Sequence, residues 1–346
     1  MSSLLLSEYC IKNLKLKNRV VMSPMCMHSA GDDGFVTDFH RIHYPARALG
    51  QAGLIFLETL AVEKDGRVGP GDLGIWSDEH ISGLRSLVAQ LHEHGAAAAA
   101  QIGHSGRMAD FSDVRTVAPS AIAFSEQSRI PAELTKEEIQ HIVRHFGDAA
   151  RRAAEAGFDV LEVHTAHGYL LNEFLSPLSN HRTDEYGGTP ENRYRIVSEV
   201  IESVKENWKG PLFVRISSTD YAEGGNTPES FLYYGKRMKD QGVDLVDCSS
   251  GGIAPVKVSS YPNYQVPAAE LLRKELQIPV SAVGLIDSGK QAEEILRNGR
   301  ADLVFIGRAM LRDPFWVRTA ADQLRQKIAS PVQYTRYGAV WQDVQQ

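Results

Sequence analysis

Short apolar runs recur along this chain at intervals, each closed by turn residues. Eight stand out in order: Arg19–Pro24, Gly53–Val62, Ala96–Ile102, Asp159–His164, Leu212–Ser217, Leu245–Ser250, Pro279–Gly284 and Leu303–Gly307. Most are dense in Val, Ile and Leu without alternation, the pattern of strands buried on both faces. The third, with five consecutive alanines, reads equally well as helix on propensity. Between several runs the apolar positions change to a helical period. The spacing predicts helices over Thr135–Ala156, Pro190–Lys205, Pro228–Gln241 and Ser288–Asn298. The first opens on Thr135-Lys-Glu-Glu138, a capping box, and closes at Gly157.

Strand and helix in alternation imply a parallel sheet. Eight such units favour a closed (β/α)8 TIM barrel, an α/β fold, over an open dinucleotide-binding sheet, and no G-x-G-x-x-G follows the first strand. No linker interrupts the pattern, so residues 1–346 read as one domain, with a tail from about residue 331.

A barrel of this kind gathers its chemistry just beyond the C-terminal ends of its strands. There the sequence offers Ser23-Pro24-Met25-Cys26-Met27-His28, Gln101, His164-Thr-Ala-His167-Gly-Tyr169, Arg215, Gly284 and Gly307-Arg308. Two imidazoles within one turn are costly to bury without partners. The pair His164/His167 fits two roles. One is metal ligation, with Glu162 on the same face; the other is donation of two hydrogen bonds to one substrate oxygen. Spacing leaves both open. The turns at Gly284 and at Gly307-Arg308 match a phosphate cradle, in which glycines let amides approach and an arginine adds charge. Taken singly, each residue has a plainer reading: Cys26 as a small buried hydrophobe, Arg215 as a structural ion pair, the glycines as tight turns.

Composition narrows the class. With 43% apolar and 23% charged residues and a formal net charge of −6, the chain is that of a globular protein with no basic footprint for nucleic acid or an anionic membrane. No run reaches bilayer length. Three scattered cysteines form no C-x-x-C pair, which points away from a zinc knuckle or disulfide framework and toward a reduced, cytoplasmic setting.

The segment His164-Thr-Ala-His-Gly-Tyr-Leu-Leu-Asn-Glu-Phe-Leu-Ser-Pro177, continued by Asn180-His-Arg-Thr-Asp-Glu-Tyr-Gly-Gly188 and Glu191-Asn-Arg193, resembles the signature of the old yellow enzymes. The resemblance runs from Lys17-Asn-Arg19 to the Gln333-Tyr-Thr-Arg336 tail, and Ser23-Pro-Met-Cys26 with Arg336 is similar to the thermophilic-like bacterial subclass of the bacilli type. It implies an FMN-dependent ene-reductase with non-covalent FMN and NADPH as hydride donor. Two half-reactions follow: NADPH reduces the flavin, and hydride then passes to the β-carbon of an enone, enal, maleimide or nitroalkene.

In that resemblance Ser23, Pro24, Met25, Cys26 and Thr59 border the flavin ring, and Gln101 reads its pyrimidine edge. Arg215 sits where reduction places negative charge, and Gly284, Gly307 and Arg308 hold the phosphate. His164 and His167 bind the substrate oxygen, Tyr169 delivers the proton to the α-carbon, and Cys26 tunes the flavin; no metal is implied. Arg336 would reach a neighbouring subunit's site in a homodimer or homotetramer. One departure stands out: His28 occupies a position where the subclass has Tyr, and a titratable ring there would reshape the pocket and add pH dependence. Rival readings are a metal-dependent barrel hydrolase using His164 and His167, a non-catalytic flavin-binding barrel, and a dienoyl-CoA reductase relative. The last carries a cluster-binding cysteine set and further domains in place of this short chain.

Overall fold

Eight parallel strands, each followed by a helix, close on themselves in a computed structural model that describes residues 2–112 and 114–335. The strands are β1 (Val20–Met22), β2 (Leu54–Ala61), β3 (Ala97–Gly103), β4 (Val160–Thr165), β5 (Leu212–Ser217), β6 (Leu245–Ser249), β7 (Val280–Ala282) and β8 (Leu303–Ile306). Neighbours in sequence are neighbours in the sheet. Val304 beside Val20 and Ile306 beside Met22 complete the ring. All eight apolar runs named above are strands of this barrel.

The barrel helices are α1 (Asp38–Leu49), α2 (His80–Glu93), α3 (Lys136–Ala156), α4 (Pro190–Asn207), α5 (Ser230–Asp240), α6 (Val266–Leu276), α7 (Gly289–Arg297) and α8 (Trp316–Gln323). Local chemistry sets their starts. The Glu138 amide donates to Thr135 Oγ1 at 3.2 Å while Thr135 N–H donates to Glu138 Oε2 at 2.8 Å, and Gly157 ends the helix at φ +88°. Thr189 caps α4 ahead of Pro190, and Ser288 caps α7.

Two cores result. The larger lies between barrel and helices; the smaller fills the barrel's lower interior with Val21, Leu54, Phe56, Ala99, Phe213 and Phe305. A hairpin (Tyr9–Ile11 with Leu14–Leu16) plugs the bottom through Ile11 and Leu16. This explains the alanine run, which is strand rather than helix. Ala98 and Ala100 face the helices, while Ala99 shares the interior with the rings of Phe56, Phe213 and Phe305. Small side chains are what that crowded interior admits, and packing overrides propensity.

Among the described residues no helix is long and apolar enough to cross a membrane. Arg336 and the rest of the tail lie outside the described residues.

Candidate active site

At the upper mouth, β1 runs into Ser23-Pro-Met-Cys26-Met-His28. The segment is fastened at each end: Ser23 N–H donates to Ile306 O at 3.0 Å, and Met27 N–H to the buried Glu58 carboxylate at 3.0 Å. Burial, with Asp72 and Glu58 adding to it, pushes the Cys26 thiol up to about 12, so it stays protonated. His28 takes φ +50° and its Nδ1 lies 2.6 Å from the Asp72 carboxylate, with its side chain half exposed at the rim. Asp72 is fixed in turn by Val68 and Gly69 amides at 2.7 and 3.0 Å.

Below the mouth a polar layer crosses the barrel. Thr59 Oγ1 donates to Gln101 Oε1, and Gln101 Nε2 donates to Glu162 Oε1 at 2.8 Å. The chain continues two residues past Gln101 before β3 ends at Gly103, so Gln101 is an interior rather than a terminal residue. Arg215 is buried; its Nη1 donates to Ser23 Oγ at 3.1 Å and its Nε lies 3.2 Å from Asp247 Oδ2. Arg215 therefore has the ion-pair partner of its plain reading, and it also stands beside Ser23 near the mouth.

After β4 the chain turns through His167 at φ +61° and Gly168 at φ +76°. Gly252 packs directly on the His167 backbone, fixing this turn against the loop after β6. The imidazoles of His164 and His167 meet edge to face with centroids 5.2 Å apart, and the Tyr169 ring meets His164 the same way at 5.1 Å. His164 Nδ1 accepts from the Ala166 amide at 3.3 Å, which leaves its proton on Nε2. His167 Nε2 pairs with Ser249 Oγ at 2.7 Å. Burial, with His167 and Arg215 adding to it, holds His164 well below the usual imidazole range. Burial and then Arg215 hold His167 down to about 3. Both rings are neutral donors at ordinary pH. Burial, then Cys26 and Asp72, raise the Tyr169 phenol above its ordinary value, so it remains an acid with a proton to give.

Glu162 is committed to Gln101, one layer below the two histidines, and His167 is committed to Ser249. Among the described residues no group of three His, Cys, Asp or Glu is arranged to hold a metal ion.

Beside His167 opens a cleft of about 350 Å³, lined by Ser249, Gln265, Gly284, Gly307 and Arg308 among others. Gly284 has φ +116°, and a Cβ there would come 2.6 Å from Gln265 Oε1. That backbone suits glycine and leaves the turn open for an anion. The cleft, with its glycine turns and Arg308, fits the phosphate end of a flavin mononucleotide. Gly284→Ala is expected to weaken FMN binding at least about tenfold through backbone strain and lost space. Fluorescence titration of the flavin-free protein checks this, and unchanged affinity would remove Gly284 from the cradle.

Several site residues carried no signal in the sequence. Ser249 and Gln265 brace His167, with Gln265 Nε2 donating to Ser249 Oγ at 3.0 Å, and Asp247 sits mid-strand beneath Arg215. Glu173, which the segment of residues 164–177 does contain, accepts from Arg107 N–H at 2.9 Å yet is pushed by burial from near 4.5 up to about 8. Its folded value lies above its unfolded one, so the folded chain binds more protons in that window, and stability falls as pH rises from about 4.5 to about 8. Glu173→Gln should therefore gain on the wild type between pH 5 and pH 8 in urea unfolding. A constant difference would show Glu173 ionised throughout.

The model of the NADH:flavin oxidoreductase / NADH oxidase family matches residues 8–327. An NADPH dehydrogenase of Geobacillus sp. (strain WCH70) is 56% identical over 337 residues, covering 97% of this chain and 99% of that protein. One from Bacillus subtilis (strain 168) is 54% identical, with the same coverage. The solved old yellow enzyme homologue from Zymomonas mobilis superposes with a TM-score of 0.80 at 27% identity, covering 96% of each chain. The chain belongs to the NADH:flavin oxidoreductase / NADH oxidase family, as a flavin enzyme of the old yellow enzyme type.

Proposed function

We propose that this FMN-dependent NADPH oxidoreductase reduces carbon–carbon double bonds conjugated to an oxygen-bearing activating group: enones, enals, maleimides and nitroalkenes. One observation carries the reading. Two neutral, buried imidazoles meet at the barrel mouth with a protonated phenol beside them. Neutral donors grip a carbonyl or nitro oxygen without the desolvation cost of a buried cation.

Bound FMN supplies the site's capacity to accept hydride and give it up again. Gly284, Gly307 and Arg308 would hold its phosphate, and Ser23, Pro24, Met25, Cys26, Thr59 and Gln101 would border its ring. Arg215 adds a fixed positive charge beside Ser23, favouring negative charge on whatever lies above it. The relatives' name, NADPH dehydrogenase, supports NADPH as donor.

His164 presents Nε2–H to the activating oxygen, because its Nδ1 is occupied by the Ala166 amide. His167, steadied by Ser249, shares that oxygen. Polarisation of the alkene leaves the β-carbon electron-poor. Tyr169 donates its phenolic proton to the α-carbon. His28 contacts the substrate from the rim. Donor and alkene occupy the mouth in turn, so ping-pong kinetics follow.

Anaerobic stopped-flow tests the whole reading. NADPH should bleach the flavin absorbance, and cyclohexenone, N-methylmaleimide or a nitrostyrene should restore it. Bleaching with no recovery by any of them would leave only a flavin-binding or dehydrogenase role.

A further inference from the structure

Inside the barrel, beneath the mouth, two carboxylates face one cation. Arg215 on β5 has Asp247 directly beside it on β6 and His164 beside it on β4. Arg215 Nε and Asp247 Oδ2 are 3.2 Å apart, an ion pair whose angle falls short of a hydrogen bond, and Ser281 on β7 donates to the other Asp247 oxygen. Glu162 on β4 is also fully buried. Its Oε1 accepts from Gln101 at 2.8 Å, and its Oε2 has no hydrogen-bond partner. Five consecutive strands, β3 to β7, thus contribute one polar layer over the aromatic floor.

We propose that Glu162 and Asp247 hold a single proton between them, Asp247 as the ionised counterion and Glu162 as the neutral acid, and that this count sets the positive charge Arg215 presents at the barrel mouth. It rests on the reading that FMN lies over Arg215.

Charge counting carries the argument. With His164 and His167 neutral, Arg215 is the cation these carboxylates face. Two ionised carboxylates against one guanidinium would leave a net negative charge in a dry interior, and the mutual repulsion of Glu162 and Asp247 disfavours ionising both. The geometry says which one keeps the proton. Asp247 has the guanidinium and a hydroxyl; Glu162 has one amide donor and an oxygen with no partner, tolerable as an acid and costly as a carboxylate. Burial and mutual repulsion raise Glu162 well above the carboxylate range, which agrees. An ionised Glu162 would also oppose the negative charge that reduction brings to the ring above.

The test uses the FMN holoenzyme, with infrared spectroscopy for the acid group and reductive titration against a reference dye for the potential. Glu173, also held as a buried acid, contributes a carboxylic acid C=O stretch to every variant, so the difference between wild type and Glu162→Gln is read, and it should contain one further buried acid stretch that the substitution removes. Neutralising either carboxylate alone keeps the layer's charge balanced, because Glu162 becomes the counterion when Asp247 is lost. Glu162→Gln and Asp247→Asn should each move the flavin's oxidised–reduced equilibrium by less than about threefold, and Asp247→Asn should also lose that further stretch. The double variant should favour reduction at least about tenfold, about 30 mV for a two-electron couple.

No acid stretch in the difference between wild type and Glu162→Gln, or a Glu162→Gln shift as large as the double variant's, would overturn the proposal. Should the double variant not fold, the difference spectrum and the single variants decide. A protein that takes up no flavin defeats the earlier reading instead, and the infrared difference, readable without flavin, still tests the shared proton.

Discussion

Replacing His164 and His167 together with Ala is expected to lower kcat/KM for cyclohexenone by about 10⁴-fold while the flavin absorbance stays with the protein. Removing one preorganised donor from a developing oxyanion costs about 10²–10³ in rate. In the proposed function the two rings serve one oxygen, so their losses should not simply multiply. His164 lies on β4 and His167 in the turn after it, which is held where the His167 amide donates to Ser217 Oγ at 2.9 Å and Gly252 backs its main chain. Truncation of the rings should therefore leave the loop in place. Steady-state kinetics beside a flavin spectrum separate the outcomes. Full activity in the double variant would remove the pair from catalysis. Loss of flavin would instead make His167, which lines the cleft beside Gly284 and Arg308, part of the cofactor cradle. Because His167 is held near 3, activity should not fall off between pH 8 and pH 5 through its protonation.

The barrel was legible because its strands are unambiguous in kind. Runs such as Leu212–Ser217, apolar on both faces, have nowhere to sit but between an interior and a helix layer. The helix boundaries came from caps that act locally, as at Thr135 and Gly157. What the sequence concealed depends on contacts between distant residues. In a strand buried on both sides, periodicity does not separate the face that meets helices from the face that meets the barrel axis, so Asp247 gave no sign of lying under Arg215. Glu162 was visible as a neighbour of His164 but not as the partner of Gln101, a contact across two strands. Ser249 meets His167 over 82 residues of chain, and only the closed ring brings them together. His28 illustrates the same limit: its type was plain, yet its left-handed backbone and its Asp72 partner depend on how the loop after β2 folds over the rim.

Tyr169→Phe should slow the alkene-dependent reoxidation of the flavin by about 10²-fold or more, the usual share of a positioned acid, and leave reduction by NADPH within about threefold. Phenylalanine keeps the ring, and with it the edge-to-face contact to His164 at 5.1 Å, so the change isolates the hydroxyl. Burial keeps that hydroxyl protonated, and Cys26 and Asp72 push in the same direction. A phenol made less acidic yields its proton only to a strong base, and a carbanion forming at the α-carbon as hydride reaches the β-carbon is such a base. The residue would thus be silent during flavin reduction and matter only when the alkene is in place. Rapid mixing of each half-reaction in H₂O and D₂O measures this, and the solvent isotope effect on reoxidation should change with the substitution. Equal rates in both half-reactions would mean that the proton arrives from water, with Tyr169 serving only to wall the pocket beside His164.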